Sequence, residues 1–379
     1  MRKEVIFLTQ KLIRIDSQNP PGDEKKIALF IKSYLKKIGV DCKIYEFKED
    51  RPNVVVHLKS INKKKKILFA PHLDTVPITG KWRYPPLGGV IVKKRLYGRG
   101  ATDCKSNVGV SLAAIKELKT KFSPLRNIDV LFAFTSDEET GSRWGIKPLL
   151  NKLRNVDYGV VLDSDEFEVI VAQKGLLHLR VEVFGKEAHG AFPERGINAI
   201  ENSIRALSHI LGRGIPYIKS HHLLKHPTIN IGKFEGGSKV NIVAGYAYFD
   251  IDIRFIPPLT KNKIVNYLKR VFDRYIKRYR IKILAHQAPI EIDSRCLLIN
   301  VLKKTLKEHK LPLKLRPCFG ATVINFLKDK GIDAFGFGFG SRGCAHTKNE
   351  YVNIDNLVKG TEVLRDYIIF LDRYFERDR

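Results

Sequence analysis

Residues 127–142, NIDVLFAFTSDEETGS, decide how the rest of the chain is read. Val130 to Thr135 is an unbroken apolar run with aromatic and β-branched residues, which predicts a buried strand of a parallel sheet. The run stops in Asp137, Glu138 and Glu139, followed by Gly141. Adjacent carboxylates at the end of a core strand repel one another and lose hydration, a cost that a cation offsets most simply. Three other apolar runs stop in the same manner: LFAPHLDT at His72 and Asp74, YGVVLDSD at Asp163 and Asp165, and DAFGFGFGSRGCAH at His346. Ligands of open α/β sheets bind beyond the carboxyl ends of the strands. These four ends are therefore expected to converge on a metal site.

A chain of 379 residues, 44% of them apolar, is long enough for two domains, or for one large domain carrying an insertion. No apolar run approaches the roughly 18 residues of a membrane span. The start, MRKEVIFLTQKLIRI, is interrupted by charges and reads as an amphipathic helix rather than a signal peptide, so a cytoplasmic protein is expected. Five scattered cysteines without a CxxC pair fit a reducing compartment better than a disulfide framework. The net charge of +28 is large, but its densest run, Lys63 to Lys66, falls between two strand-like segments, where a solvated hairpin belongs. No nucleic-acid-binding motif accompanies it, and neither a nucleic-acid nor a membrane partner is expected.

Along the chain, helical spacing over residues 4–14 is broken by DSQNPPGDE; Asp23 then reads as an N-cap for a helix from Glu24 to Lys37, closed by Gly39. VDCKIYEF, NVVVHLKS and ILFAPHLD read as strands, residues 77–98 as a loop, and a helix starts near Lys105. The opening strand, a helix near 145–153 and the strand before Asp163 complete an alternation that predicts a mostly parallel sheet with covered faces. At Gly175 the rhythm changes. Strand, helix, strand, strand, helix and strand follow up to Gln287, the order of the ferredoxin-like motif. From about Pro289 the α/β pattern returns and ends in a helix starting at Ile354. The expectation is an α/β fold: a discontinuous catalytic domain, 1–174 and 290–379, with a ferredoxin-like (βαββαβ) lid inserted at 175–289.

Taken singly, the candidate residues are weak. An HxD pair such as His72 and Asp74 can be a core histidine with its partner, and Asp103 before a helix can be a cap. As a set they carry chemistry. Two divalent cations bring more positive charge than Asp103, Glu139 and Asp163 neutralise, and that surplus makes water acidic enough to attack near neutral pH. Glu138, next to a ligand but not needed as one, is free to move the proton. Asp74 can fix the tautomer of His72. His with carboxylates suits zinc, and cobalt or manganese is compatible.

The motifs APHLDTVP, LYGRGATDCKSNVG, TSDEETGS, GKEAHGAFPERGINAIE and CAHTKNEYV, in this order, resemble the dinuclear-zinc peptidases and amidohydrolases. That family includes acetylornithine deacetylase, succinyl-diaminopimelate desuccinylase, aminoacylase and carboxypeptidase G. The resemblance spans both domains and implies two divalent metal ions and a homodimer formed through the lid. By motif, His72 and Asp163 would bind one metal, Glu139 and His346 the other, and Asp103 both. Glu138 would be the general base, Asp74 would orient His72, and a cis peptide would follow Asp103. His189, in GKEAHGA, resembles the histidine that reaches a partner's active site and stabilises the oxyanion. Asn241 and Arg254 resemble residues that hold a substrate carboxylate, and Gly320, in CFGATV, is a third substrate-binding candidate.

Two positions depart from the deacylase pattern. Asp163 stands in LDSDE where a glutamate is common in deacylases, and Val323 stands in GATV where many members carry an acid. The expected activity is hydrolysis of an amide or peptide bond in a small N-acyl amino acid or short peptide. A biosynthetic deacylase and an inactive metal-binding interaction protein are the alternatives.

Overall fold

The computed structural model describes residues 1–216 and 220–377, the side chain of Arg377 excepted. The chain divides into two compact units. The first comprises Met1–Val171, Ile292–Arg316 and Thr322–Arg379; the second comprises Ala172–Glu291 and Pro317–Ala321.

At the centre of the first unit, four strands run parallel in the order Ile128–Phe134, Lys65–Ala70, Tyr158–Leu162, Asp333–Phe337. Every residue of Ile128–Phe134 is buried, as a strand covered on both faces requires. That strand is parallel to one neighbour only: on its other side it pairs antiparallel with Pro52–Leu58, which in turn carries Cys42–Glu46 at the edge. The helices Arg2–Ile13, Lys105–Lys121 and Ile354–Arg377 pack on one another. The last helix runs to Arg377, its buried positions continuing through Leu371 and Phe375.

Three local readings of the sequence are corrected. Glu24 is the N-cap of the helix Lys25–Lys37 but caps nothing with its side chain, which is buried against Arg51 at 2.6 Å; Asp23 accepts only the amide of Lys25, at 3.2 Å. Residues 77–98 are not wholly loop. Val90–Val92 and Arg95–Tyr97 form a hairpin that pairs with Tyr351–Asn353, a non-local partner that no local pattern announces. The strand before His72 ends at Ala70; beyond it His72 keeps an isolated parallel bridge to Thr135, and Asp74 lies outside any strand.

In the second unit Gly175–Phe184 alternates buried and half-buried residues along its whole length. It pairs antiparallel with Tyr246–Phe255 on one side and Tyr279–Gln287 on the other, and Thr228–Gly236 completes the sheet order. Leu177, Leu179, Val181 and Val183 face the helices Ala199–Arg213 and Lys261–Tyr275, where Phe249 meets Phe272 edge-on at 6.0 Å. This is the ferredoxin-like arrangement. Among the described residues no helix is long and apolar enough to cross a membrane.

Candidate metal centre

The parallel strands carry their carboxyl ends to one place in the first unit. Thr135, at the end of Ile128–Phe134, bridges His72, and the amide of Leu73 donates to the Thr135 carbonyl at 2.8 Å. Asp163 follows directly on Tyr158–Leu162. Asp103 precedes the helix Lys105–Lys121, whose N-cap is Cys104, so Asp103 is not the cap. The Asp103–Cys104 peptide is cis. His346 comes from the loop after Asp333–Phe337 with a backbone φ of 62°.

The carboxylate of Asp103 is divided between two imidazoles. Its Oδ1 lies 2.8 Å from His72 Nε2, and its Oδ2 lies 3.1 Å from His346 Nε2. On one side His72 Nε2 is 3.9 Å from Asp163; on the other His346 Nε2 is 3.2 Å from Glu139. One shared carboxylate flanked by two His–carboxylate pairs is the donor pattern that two neighbouring divalent ions require.

The electrostatics agree. Burial pushes the Asp163 carboxyl up to about 7, and the charge of Asp103 adds to the effect. Burial pushes Glu138 well up; His72 opposes this, while Asp163, Glu139 and Asp103 reinforce it. Burial also works against ionised Asp103, but hydrogen bonds from His346 and His72 hold it below the carboxylate range. The bonds to Asp103 and Glu139 raise His346 to about 10. Without cations the cluster must hold protons to balance its own charge. The residues fit a pair of divalent ions.

A model of Peptidase family M20/M25/M40 matches residues 68–369. The chain belongs to this family. It is a metal-dependent hydrolase, in keeping with family M20. An uncharacterised metallohydrolase of Methanocaldococcus jannaschii is 30% identical, with 97% of this chain and 99% of the relative covered. A succinyl-diaminopimelate desuccinylase of Buchnera aphidicola is 28% identical, with 98% and 99% covered. A Staphylococcus aureus tripeptidase structure has the same fold, with a TM-score of 0.82 at 22% identity over 98% of this chain and 99% of that one.

In this M20 chain Asp74 does more than the sequence suggests. Its carboxylate is 3.4 Å from His72 Nδ1, which is closer to the Asp74 carbonyl at 3.1 Å. The shorter carboxylate bonds are to the amides of Glu138 and Glu139, at 3.0 and 3.1 Å, and to Asn19 Nδ2 at 2.8 Å. Asp74 thus sets the turn that aims both glutamates.

Other positioning residues escaped sequence reasoning. Glu350 is fully buried, ion-paired to Arg99 at 2.6 Å, and accepts the amides of Gly100, Thr102 and Asp103. It lies within CAHTKNEYV, but no spacing rule ties it to a loop near residue 100. Arg51 bonds both Glu24 and Asp137, anchoring the start of the glutamate turn from below.

The remaining candidates belong to the second unit. His189 bridges Ile242, and the Gly190 amide donates to the Asn241 carbonyl at 2.8 Å, so His189 and Asn241 are neighbours. His189 Nδ1 accepts the Ala191 amide at 3.1 Å, which leaves the proton of the neutral ring on Nε2. Arg254 is gripped through two nitrogens by Asp252, at 2.9 and 3.2 Å. Gly320 lies in the short 317–321 segment that groups with this unit.

Proposed function

We propose that the chain hydrolyses the amide or peptide bond of a small N-acyl amino acid or short peptide. The divided carboxylate of Asp103 carries the reading. His72 and Asp163 would hold one divalent ion, His346 and Glu139 the other, and Asp103 both; zinc suits the donors, with cobalt or manganese compatible. Bound there, the ions would acidify water and polarise the scissile carbonyl.

The protein's own groups do the rest. Glu138 takes a proton from the attacking water and passes it to the leaving nitrogen. His189, with its proton on Nε2, donates to the oxyanion in a partner's active site, so His189→Ala is expected to lower kcat by about 100-fold or more with little change in KM. An unchanged kcat would remove it from the reaction. Asn241, Gly320 and Arg254, whose fork is already steadied by Asp252, are the candidates for the substrate carboxylate. The second unit is the proposed homodimer surface: Ile204 and Leu211 on the helix Ala199–Arg213 stand 52% and 55% exposed.

Chelation should abolish hydrolysis, and zinc or cobalt should restore it. Turnover by metal-free protein would defeat the two-ion reading. A panel of N-acyl amino acids, dipeptides and tripeptides, run with defined metals, separates a deacylase from a peptidase. Asp163 in place of glutamate and Val323 in place of an acid favour the peptidase side.

A further inference from the structure

We infer that Cys104 is a direct ligand of the ion held by His72 and Asp163, making that half of the centre softer than the other. The inference rests on the two-ion reading above. A ring nitrogen of His72, a carboxylate oxygen of Asp163 and the Sγ of Cys104 all lie within 4.8 Å of one another. The thiol is fully buried and donates to the Leu162 carbonyl at 3.0 Å.

A second feature points at the sulfur. The Asn107 side chain, 1% exposed, has its amide fixed: its Oδ1 accepts the Phe339 amide at 2.9 Å. That bond turns the Asn107 NH2 group toward Cys104 Sγ, 3.4 Å away. That contact fixes the position of the sulfur beside His72 and Asp163. On ligation the S–H proton leaves to solvent, a sulfur–metal bond forms, Leu162 loses its donor, and the Asn107 bond persists.

The two halves of the centre then differ. His346 and Glu139 offer only nitrogen and oxygen, whereas His72, Asp163 and Cys104 add sulfur. Thiolate ligands select zinc over manganese and magnesium, so the Cys104 half should fill first with soft ions.

The test is a cobalt titration of the metal-stripped full chain, following near-ultraviolet sulfur-to-cobalt charge-transfer absorption, with bound cobalt counted by elemental analysis. The band is expected to grow with the first equivalent, to vanish in Cys104→Ser and Cys104→Ala, and to persist in Cys344→Ser. The preference for zinc over manganese should fall by about 10-fold or more in Cys104→Ser. Wild-type protein that binds two cobalt ions without the band, or a band that survives Cys104→Ser, overturns the assignment while leaving the two-ion centre intact. Protein that binds no cobalt overturns the centre itself, and this ligand with it.

Discussion

Glu138→Ala is expected to retain its metal and lose about a thousandfold in kcat, with KM little changed. The expectation follows from how the residue is held. Its backbone amide is fixed by Asp74 at 3.0 Å, whereas no hydrogen bond to its carboxylate is found among the described residues. The neighbouring Glu139 meets His346; Glu138 meets neither imidazole. A carboxylate steadied through its backbone and free at its tip is placed to exchange a proton. Single-turnover kinetics beside elemental analysis of the variant check both halves of the expectation. Loss of metal together with activity would make Glu138 a ligand, and full kcat would leave it no part in the reaction.

Glu350→Ala is expected to cost about 3–5 kcal/mol of stability, because it leaves the Arg99 guanidinium buried without its partner. Arg99 and Glu350 are 2% and 0% exposed. The same change orphans the amides of Gly100, Thr102 and Asp103, so metal affinity should fall with stability. Denaturant unfolding of the metal-free protein measures the first effect without the second. Asp355→Ala, which breaks the exposed pair with Arg2, provides the comparison and should cost under about 1 kcal/mol. Equal losses in the two variants would mean that the loop carrying Asp103 is held by something other than Glu350.

Much of the architecture was legible because it is written in short-range pattern. The apolar run Val130–Thr135, the alternation from Gly175 to Phe184 and the helix Lys105–Lys121 declare themselves by their own periodicity. The apolar runs that stop at His72, Glu139, Asp163 and His346 point to the candidate site, because charge at the end of a buried strand demands a partner; Asp103, ahead of a helix, joins them only by motif. What escaped was tertiary pairing. The hairpin of Val90–Val92 and Arg95–Tyr97 takes its third strand from Tyr351–Asn353, far away in sequence. Asp74 lies 3.4 Å from His72 Nδ1 and also accepts two backbone amides, and an amide bears no sequence signature. Arg254 is held by Asp252, two residues away on the same strand, a pairing that the sequence reading did not include. Glu350 and Arg99 are both charged residues that any sequence reading would leave at the surface.

The Ile292 amide donates to the Val171 carbonyl at 2.8 Å, so the chain departs from the first unit and rejoins it at touching positions. Everything from Ala172 to Glu291 is, topologically, one long detour. Loop-closure entropy grows only with the logarithm of length, so a detour of this size costs about 2 kcal/mol more than one of ten residues. The detour also folds around its own core of Leu179, Val181, Phe249 and Phe272, which brings its two ends together without help. An enzyme built this way can exchange or resize its insert over evolutionary time while the strands that deliver its carboxylates keep their register.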